Sequence, residues 1–103
     1  MYLVCFLVPE SHIDLVKKAI FAVGAGQLGN YKYCAWQTLG EGQFMPLPGS
    51  QPFSGEVNQL KKGAEYKVEI ICTENNIKAA VAALKSSHPY EVAAYQVLRV
   101  EAF

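Results

Sequence analysis

The sequence has no excess of charge of either sign. Its 103 residues include nine basic and nine acidic side chains, and Arg99 is the only arginine. Proteins that bind nucleic-acid phosphates or an anionic membrane surface concentrate Lys and Arg on one face, whereas the lysines here are scattered along the chain. The composition therefore predicts neither a nucleic-acid partner nor a membrane partner.

Long apolar runs are also missing. The run from Tyr2 to Val8 has no basic residue ahead of it and is far shorter than the roughly 20 residues that a bilayer requires, so we expect neither a signal peptide nor a membrane helix. Three cysteines, Cys5, Cys34 and Cys72, are an odd set in such a chain, which favours reduced thiols and a cytoplasmic location.

Apolar periodicity predicts a single domain over residues 1–103, with six elements. The predicted strands cover 1–8, 30–38, 65–73 and 92–100, and the predicted helices cover 11–24 and 77–88. Ser11 and Asp14 have the spacing of a capping box for the first helix, and the stretch from Thr73 to Asn76 supplies cap candidates for the second. The βαββαβ order predicts an α+β, ferredoxin-like sandwich, in which an antiparallel sheet carries both helices on one face.

Residues 39–64 are predicted to form a long loop. Five of the eight glycines and three of the five prolines lie between Gly40 and Gly63, and no apolar period crosses the segment. Irregular segments longer than about 15 residues are uncommon in compact domains and are usually functional or disordered. The topology places this loop, Ser11, His12 and residues 88–91 at one end of the sheet, and the connection from Gly24 to Gly29 at the other.

The glycines of that connection spell G-x-G-x-x-G, the pattern of a dinucleotide-binding loop. A phosphate loop follows a strand and opens a helix, whereas Gly24, Gly26 and Gly29 follow a helix and precede a strand. We therefore interpret them as a helix C-cap and a tight connection. Phe21 lies on the polar face of the first helix, where it is either covered by a loop or a partner, or exposed.

The cysteines give one open alternative. Cys5 and Cys72 fall in strands, where cysteine is usually a small buried apolar residue. Cys34 leaves open a thiol or metal-dependent enzyme that uses Cys34 with a histidine, although nothing local to Cys34 indicates an activated thiolate.

The stretch His88-Pro89-Tyr90-Glu91 is the most informative short motif. One interpretation is that the motif only terminates the helix: the helix dipole favours protonated His88, and Pro89 ends the helix. The other is a donor and acceptor cluster for a small ligand or a divalent ion, joined by His12. The candidate ligand-binding residues are therefore His12, His88, Tyr90 and Glu91, and His88 and Glu91 are the candidate metal ligands.

These residues resemble known families. His88-Pro89-Tyr90-Glu91-Val92, before the last strand of a βαββαβ chain, resembles the corresponding motif of the CutA divalent-cation-tolerance proteins, which share the fold of the PII signalling proteins. A wider resemblance, from Val8 to Tyr95, is to the PII-like insert domain of the NGG-interacting-factor (Nif-three-like) family. The matching motifs are Val8-Pro9-Glu10-Ser11-His12, Gly24-Ala25-Gly26, Gly29-Asn30-Tyr31, Cys34, Pro52-Phe53, Gly55-Glu56 and the His-Pro-Tyr-Glu stretch.

The resemblance implies a free-standing PII/CutA-like module that lacks the family's metal-binding core, and it does not imply an enzymatic reaction. It implies a homo-oligomer, by analogy with CutA a trimer. In PII-like proteins the loop between the second and third strands contacts partners or effectors, and the turn before the fourth strand lines an intersubunit ligand cleft; these are residues 39–64 and 88–91 here. Gln27 and Tyr33 stand where some members have histidine, which argues against a shared metal site in that region.

The leading interpretation is thus a non-enzymatic oligomeric module that binds a small ligand or divalent ion and presents its loop to a protein partner. The alternative from another class is a purely structural self-association domain, in which the aromatic residues of the second strand and the loop, including Phe44 and Phe53, are buried between subunits.

Overall fold

The computed structural model describes all 103 residues and has the predicted βαββαβ order. The elements are β1 (Tyr2–Val8), α1 (Ile13–Ala22), β2 (Trp36–Phe44), β3 (Lys61–Cys72), α2 (Ile77–Ser87) and β4 (Tyr95–Arg99), and a short 3-10 turn (Glu10–His12) precedes α1. Neither α-helix is both long enough and apolar enough to cross a membrane.

The four strands form one antiparallel sheet in the order β2-β3-β1-β4. β1 pairs with β3 from Tyr2 opposite Cys72 to Val8 opposite Tyr66, and on its other side it pairs with β4. Because β1 and β2 both run antiparallel to β3, they run in the same direction. The segments that follow β1 and β2 therefore leave the sheet toward the same end, as the topology predicted.

One face of the sheet is covered by both helices, and the core lies between them. Its fully buried residues alternate along β1 and β3 and recur at helical spacing along α1 and α2: Val4, Phe6, Val8, Val68, Ile70, Cys72, Val16, Ile20, Ala80 and Leu84. The two helices also pack against each other. The ferredoxin-like fold predicted from the sequence is confirmed.

The predicted side-chain caps do not form. The 3-10 turn moves the start of α1 beyond Ser11, so His12 becomes the N-cap residue, and its side chain caps no backbone amide. The Ser11 hydroxyl instead lies 2.8 Å from His12 Nδ1. Asn76 precedes α2, again without a side-chain cap. The capping-box prediction was wrong because the extra turn changes which residue faces the free amides.

The second strand lies farther along the chain than predicted. Leu28 and Tyr31 exchange two backbone hydrogen bonds of 2.9 Å in a tight turn, and Tyr33 has a φ of 59°, which no strand residue adopts. β2 begins only at Trp36 and continues to Phe44, opposite Lys61 of β3. The irregular segment is therefore 45–60, shorter than the predicted 39–64.

The last strand is shorter than predicted. β4 begins at Tyr95 rather than at Val92 and ends at Arg99. Val92 is 81 % exposed and lies in the irregular stretch before the strand. Its apolar side chain suggested a strand position, but it belongs to the turn that carries the candidate site.

The glycine connection ends α1, as predicted. Gly24 and Gly26 have φ values of 99° and 79°, which favour glycine over any other residue. The Gly26 amide donates to the Ile71 carbonyl at 2.7 Å, and its carbonyl accepts from Cys34 at 2.8 Å. Its amide is thus used within the fold rather than directed at a phosphate. Phe21 is half-buried beneath this connection, with its ring 5.3 Å from that of Tyr33.

Candidate functional site

Three segments distant in sequence meet at the end of the sheet where β1 finishes. The His12 ring packs edge-on against Phe53, with 5.5 Å between ring centroids, and Phe53 lies 5.9 Å from Tyr90. The Gln51 amide donates to Glu91 Oε2 at 2.9 Å. The 45–60 segment, the turn after β1 and the turn before β4 are therefore neighbours, which is the arrangement that the topology predicted.

A cavity of about 440 Å³, which we call the loop cavity, opens between these segments. Its walls are residues of the stretch from Gln43 to Ser54, together with Leu7, Glu65, Tyr90, Glu91, Val92 and Ala94. Apolar side chains predominate in this lining. Tyr90 and Glu91 line the cavity. His12 and His88 do not line it, but their rings pack against Phe53 and Tyr90, respectively.

His88 is buried, and both of its ring nitrogens are engaged. Nδ1 accepts the backbone amide of Tyr90 at 3.1 Å, so the ring proton lies on Nε2, which donates to the Leu7 carbonyl at 2.6 Å. Burial lowers the pKa of His88 below its usual value, although the Leu7 carbonyl and Glu65 act in the opposite direction. The helix dipole was expected to favour protonated His88, but burial favours the neutral ring, and Nδ1 is needed as an acceptor.

Tyr90 lies at the centre of an aromatic cluster. Its ring is 4.9 Å from His88, 5.9 Å from Phe53 and 6.4 Å from Phe44. Burial, and secondly the negative charge of Glu65, raise the pKa of the Tyr90 phenol above its usual value. Tyr90 therefore presents a neutral ring and hydroxyl to the loop cavity at physiological pH.

Two carboxylates border the loop cavity. Glu91 is exposed and uses one oxygen to hold the 45–60 segment through Gln51. Glu65 is half-buried and lies over Gly42, where a Cβ atom would clash with its carboxylate. Glu65 was not predicted as a site residue, because the sequence pattern places it only in a strand. Its position at the loop end of the alternating strand is the signal that could have indicated it.

The chain contains no group of three or more His, Cys, Asp or Glu side chains that could hold a metal ion. A protein zinc site usually requires at least three such ligands and a calcium site requires more oxygen ligands, whereas a magnesium ion keeps several waters and is often held by one or two carboxylates. His88 has no free nitrogen, and Glu91 already holds Gln51. One chain therefore lacks the ligand cluster of a zinc or calcium site, and the metal role of His88 and Glu91 stays a prediction.

The cysteines do not join the site. Cys5 and Cys72 are buried and free, as expected, and burial raises the pKa of both thiols. Cys34 is half-buried beside Gly26, at the opposite end of the sheet from both histidines. The alternative pairing of Cys34 with a histidine is therefore absent from the fold.

No family model matches the chain, but individual relatives do. It is 41% identical over 97 residues to the GTP cyclohydrolase 1 type 2 homolog of Halalkalibacterium halodurans, which covers 94% of this chain and 26% of that protein. The structure matches a Bacillus cereus protein related to NIF3 with a TM-score of 0.84 and 32% identity, over 98% of this chain and 26% of that one. CutA of Pyrococcus horikoshii matches with a TM-score of 0.70 and 18% identity, over 100% of this chain and 87% of that one.

The match to CutA shows a shared fold. The matches to the longer proteins show descent as well, and the chain spans about a quarter of the length of those relatives. The resemblance stated from the sequence is confirmed. This chain is a PII/CutA-like module that corresponds, over nearly its whole length, to one segment of the Nif-three-like (NIF3) family of proteins.

Proposed function

We propose that the chain is a non-enzymatic ligand-binding module that self-associates, and that a small ligand occupies the loop cavity. The observation that carries this proposal is the cavity of about 440 Å³ at the junction of the 45–60 segment with the turn before β4. Small-molecule sites are typically concave, about 300–1,000 Å³ in volume, and mostly apolar with a few placed polar groups. The loop cavity has all of these properties.

Each candidate residue has a proposed role in this site. Tyr90 supplies a ring and a hydroxyl, and Glu91 supplies a charge while it tethers Gln51. His88 positions Tyr90 through the backbone bond to its Nδ1, and His12 supports Phe53 from behind. His12 and His88 therefore act by shaping the lining rather than by touching the ligand.

The test is a screen of thermal stability against a panel of metal ions, nucleotides and organic cations. We expect at least one ligand to raise the melting temperature saturably, and we expect Tyr90→Leu and Glu91→Gln to weaken that effect about tenfold or more. Glu101→Gln, in the exposed C-terminal tail, is the matched control. A panel without any stabilising ligand, or a ligand effect that survives Tyr90→Leu unchanged, would contradict the proposal.

Self-association is favoured by a separate observation. The sheet face opposite the helices exposes Trp36 (68 %) and Leu98 (51 %), beside the partly exposed Leu3 and Ile71. Large apolar side chains exposed on a sheet face that no helix covers are of the kind that a protein interface buries. It supports a homo-oligomer, which the resemblance to CutA suggests is a trimer. It also supports the alternative of a purely structural association domain, in which case the oligomer forms and no ligand binds.

The proposal also includes a protein partner for the 45–60 segment and a cytoplasmic location. Met45, Leu47 and Leu60 are each about half exposed, so the segment has apolar side chains to offer a protein partner. All three cysteines are free. Free thiols are the usual state in a reducing compartment, which supports a cytoplasmic location.

A further inference from the structure

The loop cavity has a lining that favours ligands of one charge. Three aromatic rings, Phe44, Phe53 and Tyr90, and two carboxylates, Glu65 and Glu91, face it, and no lysine or arginine does. The rings are tilted by 43° and 45° relative to Tyr90 rather than stacked on it, so they do not cover one another's faces. A cavity that joins ring faces to uncompensated negative charge attracts a cation.

Glu65 is the carboxylate that most favours a cation in the loop cavity. Its carboxylate is half-buried, and the absence of a side chain on Gly42 gives it room. Lys61 and Lys62 line an adjoining hollow with Glu65, but the only ion pair in the chain joins Lys67 and Glu69 at 3.7 Å. The Glu65 carboxylate therefore places an unpaired negative charge beside the rings of the loop cavity, where a bound cation would neutralise it.

The kind of cation follows from the other groups. A site that holds a divalent metal ion through side chains alone uses several oxygen or nitrogen ligands, and the chain has no cluster of three such side chains. An organic ammonium group requires few direct ligands, because its alkyl groups spread the charge and pack against ring faces. We propose that the loop cavity binds an organic ammonium cation, with Phe44, Phe53 and Tyr90 around the alkyl groups and Glu65 as the counter-charge, an inference that rests on the loop cavity being the ligand site.

The probe is choline, and the matched control is the neutral alcohol in which a carbon atom replaces the quaternary nitrogen of choline. The two compounds have the same shape and differ in charge. Titrations are followed in amide NMR spectra at Gln51, whose amide is bonded to the cavity residue Glu91, and at Tyr90, which lines the cavity. We expect choline to bind about tenfold more tightly than the neutral alcohol, because only the cation gains from the ring faces and Glu65.

Two pairs of variants assign the effect to residues. Glu65→Gln should weaken choline binding about tenfold and leave the neutral alcohol unchanged, whereas Glu74→Gln, exposed before α2, should change neither. Phe53→Leu should weaken choline binding, whereas Phe103→Leu in the C-terminal tail should not. Preserved dispersion of the amide spectrum verifies that each variant is folded.

The outcomes separate this inference from the proposed function. Equal affinity for choline and the neutral alcohol, or choline binding that is insensitive to Glu65→Gln, would overturn the ammonium proposal. If the neutral alcohol or a nucleotide alone shifts the amides of Gln51 and Tyr90, the loop cavity is still a ligand site and only the inference about charge fails. If no compound shifts them, both proposals fail.

Discussion

At the scale of single residues, His88 connects the turn before β4 to the edge of the core. Its two ring nitrogens join the Tyr90 amide to the Leu7 carbonyl, two groups on segments that are otherwise far apart in sequence. The neutral ring satisfies both groups, and a protonated ring would lose the bond from Tyr90. The position of Tyr90 in the loop cavity therefore depends on the protonation state of a residue outside it.

We expect His88→Ala to lower the free energy of unfolding by about 1–3 kcal/mol at neutral pH, because it leaves a buried carbonyl without its donor. The pH dependence should change as well. The pKa of His88 is lowered in the fold, so the unfolded chain binds a proton more readily and stability contributed by the neutral ring is lost as the pH falls through the ordinary histidine range. Urea unfolding at several pH values measures both effects.

His12→Ala is the control, since the His12 ring is partly exposed. The unmodified protein should lose more stability between neutral and mildly acidic pH than His88→Ala does. If the free energy of unfolding falls equally with pH in the unmodified protein and in His88→Ala, His88 does not cause the pH dependence.

The sequence indicates some of the residues of the site and cannot indicate others. Tyr90 and Glu91 stand next to His88 in a short, unusual motif, so residue chemistry alone singles them out. The tautomer of His88 depends on Leu7, which lies in another strand. The role of Glu65 depends on its packing over Gly42. Contacts of this kind arise only from strand pairing, which no local pattern encodes.

At the scale of elements, buried elements were easier to predict than exposed ones. β1 and β3 bury one face, and the resulting alternation appears directly in the sequence. Eight of the nine residues of β2 are exposed, so neither face shows an apolar period. The aromatic residues before it, including Tyr31 and Tyr33, have high strand propensity but belong to a turn. Local propensity therefore shifted the predicted strand toward the N-terminus.

The connection after α1 gives a prediction at this scale. A Cβ atom on Gly26 would lie 2.7 Å from the Phe21 ring, and the backbone there has a positive φ. We expect Gly26→Ala to destabilise the protein by about 2 kcal/mol or more, through strain and through displacement of Phe21. A Cβ atom on Gly29 would have no atom within 4 Å, so Gly29→Ala should lower the free energy of unfolding only through backbone strain, by about 1 kcal/mol.

Thermal unfolding of the two variants makes the comparison, because both have a positive φ and only Gly26 has the steric clash. Equal losses of stability would show that the packing of Phe21 under the connection contributes nothing.

At the scale of the whole molecule, the two faces of the sheet differ in what covers them. The helices cover the face of Val4, Phe6 and their partners, while the opposite face carries Trp36 and Leu98 in the open. The β2–β3 hairpin also extends past the end of β1, and there its two strands pair only with each other. The molecule is correspondingly elongated, with extents of 46 × 24 × 24 Å. The open face and the projecting hairpin are both surfaces that a second copy could cover.

This arrangement leads to a prediction about assembly. Trp36→Glu places a charge on the open face and should raise the concentration for half-assembly about tenfold or more, since burying an unpaired charge at an interface is strongly unfavourable. Leu15→Glu is the matched control: Leu15 is 56 % exposed but lies on α1, on the other side of the molecule. Sedimentation velocity over a dilution series measures the assembly of each variant.

The unmodified protein and Leu15→Glu should sediment as the same oligomer, and Trp36→Glu should shift toward the monomer. An unmodified protein that is monomeric at micromolar concentrations would contradict self-association altogether. An oligomer that tolerates Trp36→Glu would show instead that assembly uses another surface, of which the projecting hairpin is the next to test. If assembly depends on Trp36 while the loop cavity still binds ligand in the monomeric variant, one chain is sufficient to form the ligand site.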